Sequence, residues 1–324
     1  MSLKEATPEN KRTILLPTVQ EFRMIDRRVQ ILRTVASRGT VTAAADALGY
    51  TPSAISHQLR TLSRDLGIRL LEPDGRRVQL TLAARLLLRG ADELSIRWEE
   101  LLAELATVSG ESSGRLTMCG FSTASALMPA AASAVKQAHP YTTVRIVEAN
   151  PEECFDLLLT EHADLAVVVA TSGTPSLTDK RFEQQSLLDD PLDLLVHVDH
   201  RFASRRSVPM EETAQENWIL DRVGRPYRNL VVAACTYAGF TPTVAHEAVE
   251  WDTGAALVGA GLGVAMVPRL ARLPADDRIV RVPLAGEPTP ARHVLTAVRR
   301  GSAEQPVIRT ALAALRDVAA QVVG

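Results

Sequence analysis

Residues 39–84 read GTVTAAADALGYTPSAISHQLRTLSRDLGIRLLEPDGRRVQLTLAA, and the segment divides into two short helices and a basic hairpin. Thr42 to Leu48 is alanine-rich, so a second helix can approach it closely. Gly49-Tyr50 supplies a turn, Thr51 suits an N-cap, and Pro52 suits the first helical position. In the helix that follows, Ile55, Leu59, Leu62 and Leu66 recur at i, i+4, i+7 and i+11, one apolar stripe. Ser53, His57, Arg60 and Arg64 repeat the spacing two positions earlier, about 200° around the helix. A helix with one greasy face and one face of hydrogen-bonders and cations suits the major groove. It also suits an ordinary amphipathic surface helix, and the neighbouring elements favour DNA.

Upstream, Ile25, Val29, Leu32 and Ala36 mark the apolar stripe of a helix over Met24–Ala36 that Gly39 ends. Downstream, Asp74-Gly75 within Glu72–Leu80 is a strong hairpin signal, with Arg76 and Arg77 at its tip or flank as a wing. Charge agrees. The chain's formal net charge is −2, yet residues 1–90 carry 15 Lys and Arg against 8 Asp and Glu, leaving a surplus of acid in the remainder. A basic head on an acidic body points to a nucleic-acid-binding element joined to something else.

From Thr81 to about Val108 there is no proline, and Leu87, Ala91, Leu94, Trp98, Leu101 and Leu105 follow 4-3-4-3-4 spacing, a coiled-coil seam. Ser109–Gly114 reads as a hinge. Beyond it short strands alternate with helices: strand Leu116–Gly120, helix Ser122–Ala138, strand Val144–Glu148, helix Glu152–Glu161, strand Leu165–Ala170. A second block holds strands Leu192–Val198 and Trp218–Leu220, a helix near Leu230–Gly239, and strand Val264–Val267. This alternation predicts an α/β domain with parallel sheets. The glycine-rich run Gly259–Pro268 lacks both the Gly-x-x-x-x-Gly-Lys and the Gly-x-Gly-x-x-Gly pattern, so it marks a helix end and a tight strand entry and no nucleotide cofactor. Phe121-Ser-Thr-Ala-Ser125 falls where a helix starts after a strand, so Ser122, Thr123 and Ser125 are candidate donors for a small anion such as a carboxylate. Alternatively, Ser122 or Thr123 is only a helix cap.

Residues 39–84 resemble the winged helix-turn-helix of LysR-type transcriptional regulators. The shared features are the paired alanines before Leu48, Ser53 and Ser56, Gln58, Leu66-Gly67 and Leu80-Thr81. Ser63, Leu71, Pro73 and Ala84 stand where Glu, Phe, Arg and Gly are usual, and Pro73 shifts the expected wing contacts to Arg76 and Arg77. A looser resemblance to the family's effector domain continues to about Ala271 through His139-Pro140, Asp164-Leu-Ala, Ala238–Pro242 and Gly261–Pro268. It implies four parts: an extension, 1–23; the DNA-binding domain, 24–81; a dimerisation linker helix, 82–109; and an effector domain, 115–324, similar to periplasmic binding proteins. The implied lobes are 115–170 with 268–324, and 171–267. The expected partners are double-stranded DNA, a small-molecule effector and further copies of the chain, as a dimer assembling into a tetramer. Ser53, Ser56, His57 and Gln58 are expected near base edges and Arg60, Arg76 and Arg77 on phosphates, with Thr42, Thr51 and Pro52 completing the DNA-contacting set. By family position Asn150, Thr171 and Arg222 form the cleft wall opposite Ser122, Thr123 and Ser125.

Other classes fit less well. Ser122, Ser125, His139 and Asp164 could make a hydrolase site, but no Gly-x-Ser-x-Gly elbow surrounds either serine. His57, His197, His246 and His293 have no partner at metal-ligand spacing, so no metal is expected. Cys119, Cys154 and Cys235 are too scattered for a disulfide framework; some family members sense redox state, yet Cys119 and Cys235 lie in apolar segments and read as core thiols. No apolar run reaches membrane-spanning length and no secretory signal is evident, which predicts a cytoplasmic protein with no membrane partner.

Overall fold

The computed structural model describes residues 25–75, 77–109, 114–286 and 289–323. Two compact units divide between Ala91 and Asp92. The first holds α1 (Arg27–Arg38), α2 (Val41–Leu48), α3 (Pro52–Leu66), β1 (Leu71–Asp74), β2 (Arg77–Leu80) and the start of α4 (Leu82–Ser109). Capping sets the helix starts: Asp26 Oδ1 accepts from Arg28 N at 2.8 Å, Thr40 Oγ1 from Ala43 N at 3.1 Å, and Thr51 Oγ1 from Ala54 N at 3.2 Å. Each such cap contributes about 1 kcal/mol. Ala44 and Ala45 are fully buried, and their small side chains let α1 and α3 close over Leu32, Val35, Ile55, Leu59 and Leu62. The apolar stripe of α1 ends on Val35, not on Ala36, which is exposed because the chain turns into α2 one turn later. Leu66, expected on the buried stripe of α3, is likewise 45% exposed at the last turn. Val78 N donates to Gly39 O at 3.2 Å, tying the β1–β2 hairpin to the end of α1.

The second unit contains the rest of α4, then β3 (Gly114–Gly120), a 3-10 turn (Ser122–Ala126), α5 (Met128–Ala138), β4 (Thr142–Glu148), α6 (Pro151–Leu159), β5 (Leu165–Val169) and β6 (Phe182–His197). There follow β7 (Val208–Pro209), β8 (Asn217–Leu220), α7 (Pro226–Tyr237), β9 (Thr243–Glu247), α8 (Trp251–Gly259), β10 (Ala265–Pro268), β11 (Ile279–Ala285), β12 (Ala291–Arg299) and α9 (Pro306–Val323). The main sheet runs β4-β3-β5-β12-β6-β11-β7, with β10 also on β6. It is mixed, not purely parallel as expected: β12 runs antiparallel to both β5 and β6. β5, LAVVV, is buried throughout because both its faces are covered. Leu165, Val167 and Val169 face the core under α5 and α9, while Ala166 and Val168 face α6 together with Phe155 and Phe182.

β6 is one strand of 16 residues that serves both lobes. Its first half pairs with β12 in the first lobe, and residues 192–197 pair with β10 and β11 in the second. Phe182 therefore belongs to the first lobe and Val282 and Leu284 to the second, so the lobe boundaries expected at 170/171 and 267/268 move to about 190 and 290, although Leu270 packs in the first-lobe core as the expected boundary implied. The neck is narrow: Pro191 pairs with Ala291, and Leu192 N donates to Pro290 O at 2.9 Å. At Gly263 (φ +155°) a Cβ would stand 2.5 Å from Asn217 O, which accounts for the glycine before β10.

Candidate nucleic-acid interface and effector cleft

On α3, Ile55, Leu59 and Leu62 are buried, and Ser53, His57, Gln58, Arg60 and Arg64 are exposed on the other side. Thr51 and Pro52 are exposed at its start; the Thr51 hydroxyl caps Ala54 N and lies 3.0 Å from the Ser53 hydroxyl. Ser56 is half-buried against the domain, and Thr42 is exposed on the first turn of α2. Arg77 is exposed on β2, where Gln79 Nε2 donates to Asp74 Oδ2 at 2.7 Å across the hairpin. Arg76 lies outside the described residues, as do 1–24 and the hinge residues 110–113. On α4, Leu94, Leu101 and Leu105 are 54%, 37% and 54% exposed, an apolar row left open among the described residues.

The candidate effector site of the second unit lies at the carboxyl ends of β3, β4 and β5. After β3, residues 122–126 form a 3-10 turn, and α5 begins only at Met128, so the single helix expected over Ser122–Ala138 is broken. No side chain caps that turn, which removes the reading of Ser122 or Thr123 as a cap. Ser122 and Ser125 are exposed. Thr123 is buried, and its hydroxyl accepts from Arg292 Nη2 at 2.7 Å. Arg292, on β12, pairs with Asp190 opposite it on β6 at 2.5 Å and stacks over the Phe121 ring with 5.1 Å to the centroid. Sequence reasoning missed this arginine, because a strand-embedded cation beside His293 carries no motif.

Asn150 and Thr171 follow β4 and β5, strands of the same sheet as β3, so they share the wall of Ser122 and do not oppose it. The Thr171 hydroxyl is engaged, donating to Glu152 Oε1 at 2.7 Å and accepting from Gly173 N at 3.1 Å. Asn150 precedes α6 without a side-chain capping bond, and Glu152 and Glu153 make that helix's first turn acidic. Across the neck, Asp221 shapes the loop after β8: its carboxylate accepts from Arg222 N at 2.7 Å and from Arg225 Nε at 2.8 Å, leaving the Arg222 side chain exposed. Tyr227, on the first turn of α7, donates to Met266 O at 2.8 Å. Burial raises its phenol above the ordinary value, and Arg292 beside it offsets part of the rise.

The imagined hydrolase triad is not assembled. Asp164 sits at the amino edge of β5, held by Thr117 N at 2.8 Å and by Arg299, while Ser122 and Ser125 lie past the carboxyl edge of β3. His139 Nε2 bonds the Thr310 hydroxyl at 2.9 Å. Among the described residues no cluster of three or more His, Cys, Asp or Glu could hold a metal ion, and no helix is long and apolar enough to cross a membrane. Cys119, Cys154 and Cys235 are all buried. A hydrogen bond with Cys154, reinforced by burial, raises the Cys119 thiol far above its ordinary range, and burial pushes Cys235 up to about 12.

Residues 27–85 match the family described as bacterial regulatory helix-turn-helix protein, lysR family, and residues 109–320 match the LysR substrate binding domain. The chain is 28% identical over 280 residues to the DNA-binding transcriptional dual regulator OxyR of Escherichia coli K12, covering 85% of this chain and 90% of that protein. It is 27% identical over 281 residues to the hydrogen peroxide-inducible genes activator of Dickeya chrysanthemi, with 85% and 90% covered. In fold it resembles a full-length OxyR variant from Pseudomonas aeruginosa (TM-score 0.59, 20% identity, 91% of this chain and 95% of that one). It also resembles full-length CbnR in complex with its target DNA (TM-score 0.52, 22% identity, 91% and 100%).

Proposed function

The chain belongs to the LysR family of transcriptional regulators, and from that premise we propose that it binds duplex DNA through α3 and the β1–β2 wing and answers to a small anionic effector held between the lobes of its second unit. The observation that carries the DNA reading is the two-faced α3: Ile55, Leu59 and Leu62 spend its apolar side on the core, so Ser53, His57, Gln58 and Arg60 are left for base edges and phosphates. Ser56, half-buried, packs the helix as well as approaching the duplex. Arg76 and Arg77 take phosphates from the wing, and Thr42, Thr51 and Pro52 flank the groove. Two such heads are joined by the open row Leu94, Leu101 and Leu105 of α4 in a homodimer that pairs into a tetramer.

For the effector, Ser122 and Ser125 offer exposed hydroxyls above the buried Arg292, and Arg222 on the other lobe offers a fork for a carboxylate. The acidic first turn of α6 beside Asn150 and Thr171 repels a second anion, so the carboxylate end lies toward Ser122 and Arg222. Burial of all three thiols, with those of Cys119 and Cys235 held above their ordinary range, speaks against peroxide chemistry at cysteine in this chain, despite the name of its relatives. The test is a thermal-shift screen of small mono- and dicarboxylates on the full chain and on Ser125→Ala/Arg222→Ala. A ligand that stabilises the parent by several degrees and fails on the variant supports the cleft site. Equal stabilisation of both places the ligand elsewhere.

A further inference from the structure

β12 carries two arginines that the fold encloses, Arg292 buried near its start and Arg299 half-buried at its end. At about 3.3 Å per residue the seven intervening steps span roughly 23 Å, nearly the full length of the strand. Arg292 stands at the cleft edge with Thr123 and Asp190. Arg299 stands at the opposite edge, where it gathers four elements. Its Nε donates to Glu99 of α4, and its Nη2 to Asp164 Oδ1 at 3.2 Å. Nη1 donates to the carbonyls of Leu158 and Ala163 at 3.2 and 2.6 Å. Asp164 in turn accepts from Thr117 N of β3, and the second oxygen of Glu99 accepts from Gln305 Nε2 at 2.8 Å.

Backbone packing reinforces the charges. Gly301 has φ +90°, and a Cβ there would stand 2.8 Å from Ile96 O and 3.2 Å from Glu100 N, so α4 rests directly on the turn after β12. Glu99 and Asp164 are 6% and 9% exposed and share one guanidinium. Sliding α4 along the sheet would leave a charge buried without its partner, which is costly, so this half of the helix has one seat. β12 is hydrogen-bonded on both sides: its ladder with β5 runs unbroken from Val294 to Val298, and its ladder with β6 shifts register once, between Val294 and Leu295.

We propose that the Glu99–Arg299–Asp164 anchor is the joint through which the state of the cleft reaches α4, with β12 as the stiff link and Arg299 as a positioning residue. The proposal rests on the cleft being the effector site, but its test uses no effector. Hydrogen exchange is followed on the full chain for the parent, Thr123→Val, Glu99→Gln and the double variant. Thr123→Val removes the acceptor of Arg292 at the cleft end; Glu99→Gln removes the anchor charge and keeps its shape.

With the anchor intact, Thr123→Val is expected to change exchange of the amides over residues 96–103 at least about threefold; with Glu99→Gln the same substitution leaves them unmoved. A merely structural role for Glu99 shifts the baseline and leaves the response to Thr123→Val the same in both backgrounds. That outcome, or no response in the parent, overturns the proposal. Protection of β3 and β5 reports folding, and if Glu99→Gln abolishes it, Glu99→Asp, which keeps the charge and shortens the reach, takes its place in the same comparison. A failed carboxylate screen together with a positive exchange result would retire the effector reading and leave the joint standing.

Discussion

Asp190 and Arg292 stand directly opposite each other on β6 and β12, joined by hydrogen bonds of 3.2 Å from Nε and 2.5 Å from Nη2, with both side chains almost fully buried. The other Asp190 oxygen accepts from Leu270 N at 3.0 Å, so the pair also fixes the segment after β10. Removing one partner leaves a buried charge unmatched. Asp190→Ala is expected to destabilise the second unit by about 3–5 kcal/mol, measured by urea unfolding. A loss below about 1 kcal/mol would mean that water reaches Arg292 freely.

Substitutions on the DNA-binding face separate into two kinds. Gln58→Ala is expected to change which duplexes are preferred in a selection from random sequences, with total affinity reduced modestly. Arg60→Ala and Arg77→Ala weaken binding to all duplexes alike and each lowers the slope of log K against log salt by ~0.9. If Arg77→Ala leaves the slope untouched, the wing is not on the phosphates.

Leu94→Glu/Leu101→Glu places two charges on the open row of α4. Sedimentation of this variant is expected to give half the parent's mass or less, with folding intact by circular dichroism. Unchanged mass would show that the row is covered by something other than a second copy.

The thiols make a pH prediction. Cys235 titrates near 12 when folded, above its ordinary value because it is buried. The folded chain thus holds this proton more tightly than the unfolded chain. The associated stability is complete below pH 9 and is lost as pH rises toward 12. At pH 8 a thiol reagent should modify less than one cysteine per native chain and all three after unfolding. Rapid modification of the native chain would reopen a redox role.

The helix-turn-helix was legible because its signals are local: Thr51-Pro52 and the glycines after α1, α2 and α3 act within a few residues. β6 was legible only in its apolar second half. The first half, FEQQSLLDD, pairs with β12 and carries Glu183 and Gln184 half-buried and Gln185 and Ser186 exposed, with no alternation, so hydropathy alone hid nine residues of strand. The candidate cleft was read in part. Ser122 and Ser125 could be placed by the strand end before them, but the Arg292–Asp190 pair joins residues about a hundred apart, and its meaning depends on which strands become neighbours. The same holds for Glu99 and Arg299, where each looks in sequence like one more surface charge.

The narrow neck at Pro191 and Ala291 makes the second lobe a guest in the first. Its entry and exit strands lie side by side, so the host's chain could be rejoined there by a short loop without crossing any remaining strand. Such a shortened chain would retain the DNA-reading head, the Thr123–Arg292 bond and the seat of α4 on Arg299, yet it would have only one jaw. The regulator would then be deaf but still able to speak, and its resting output could be measured apart from any signal it receives.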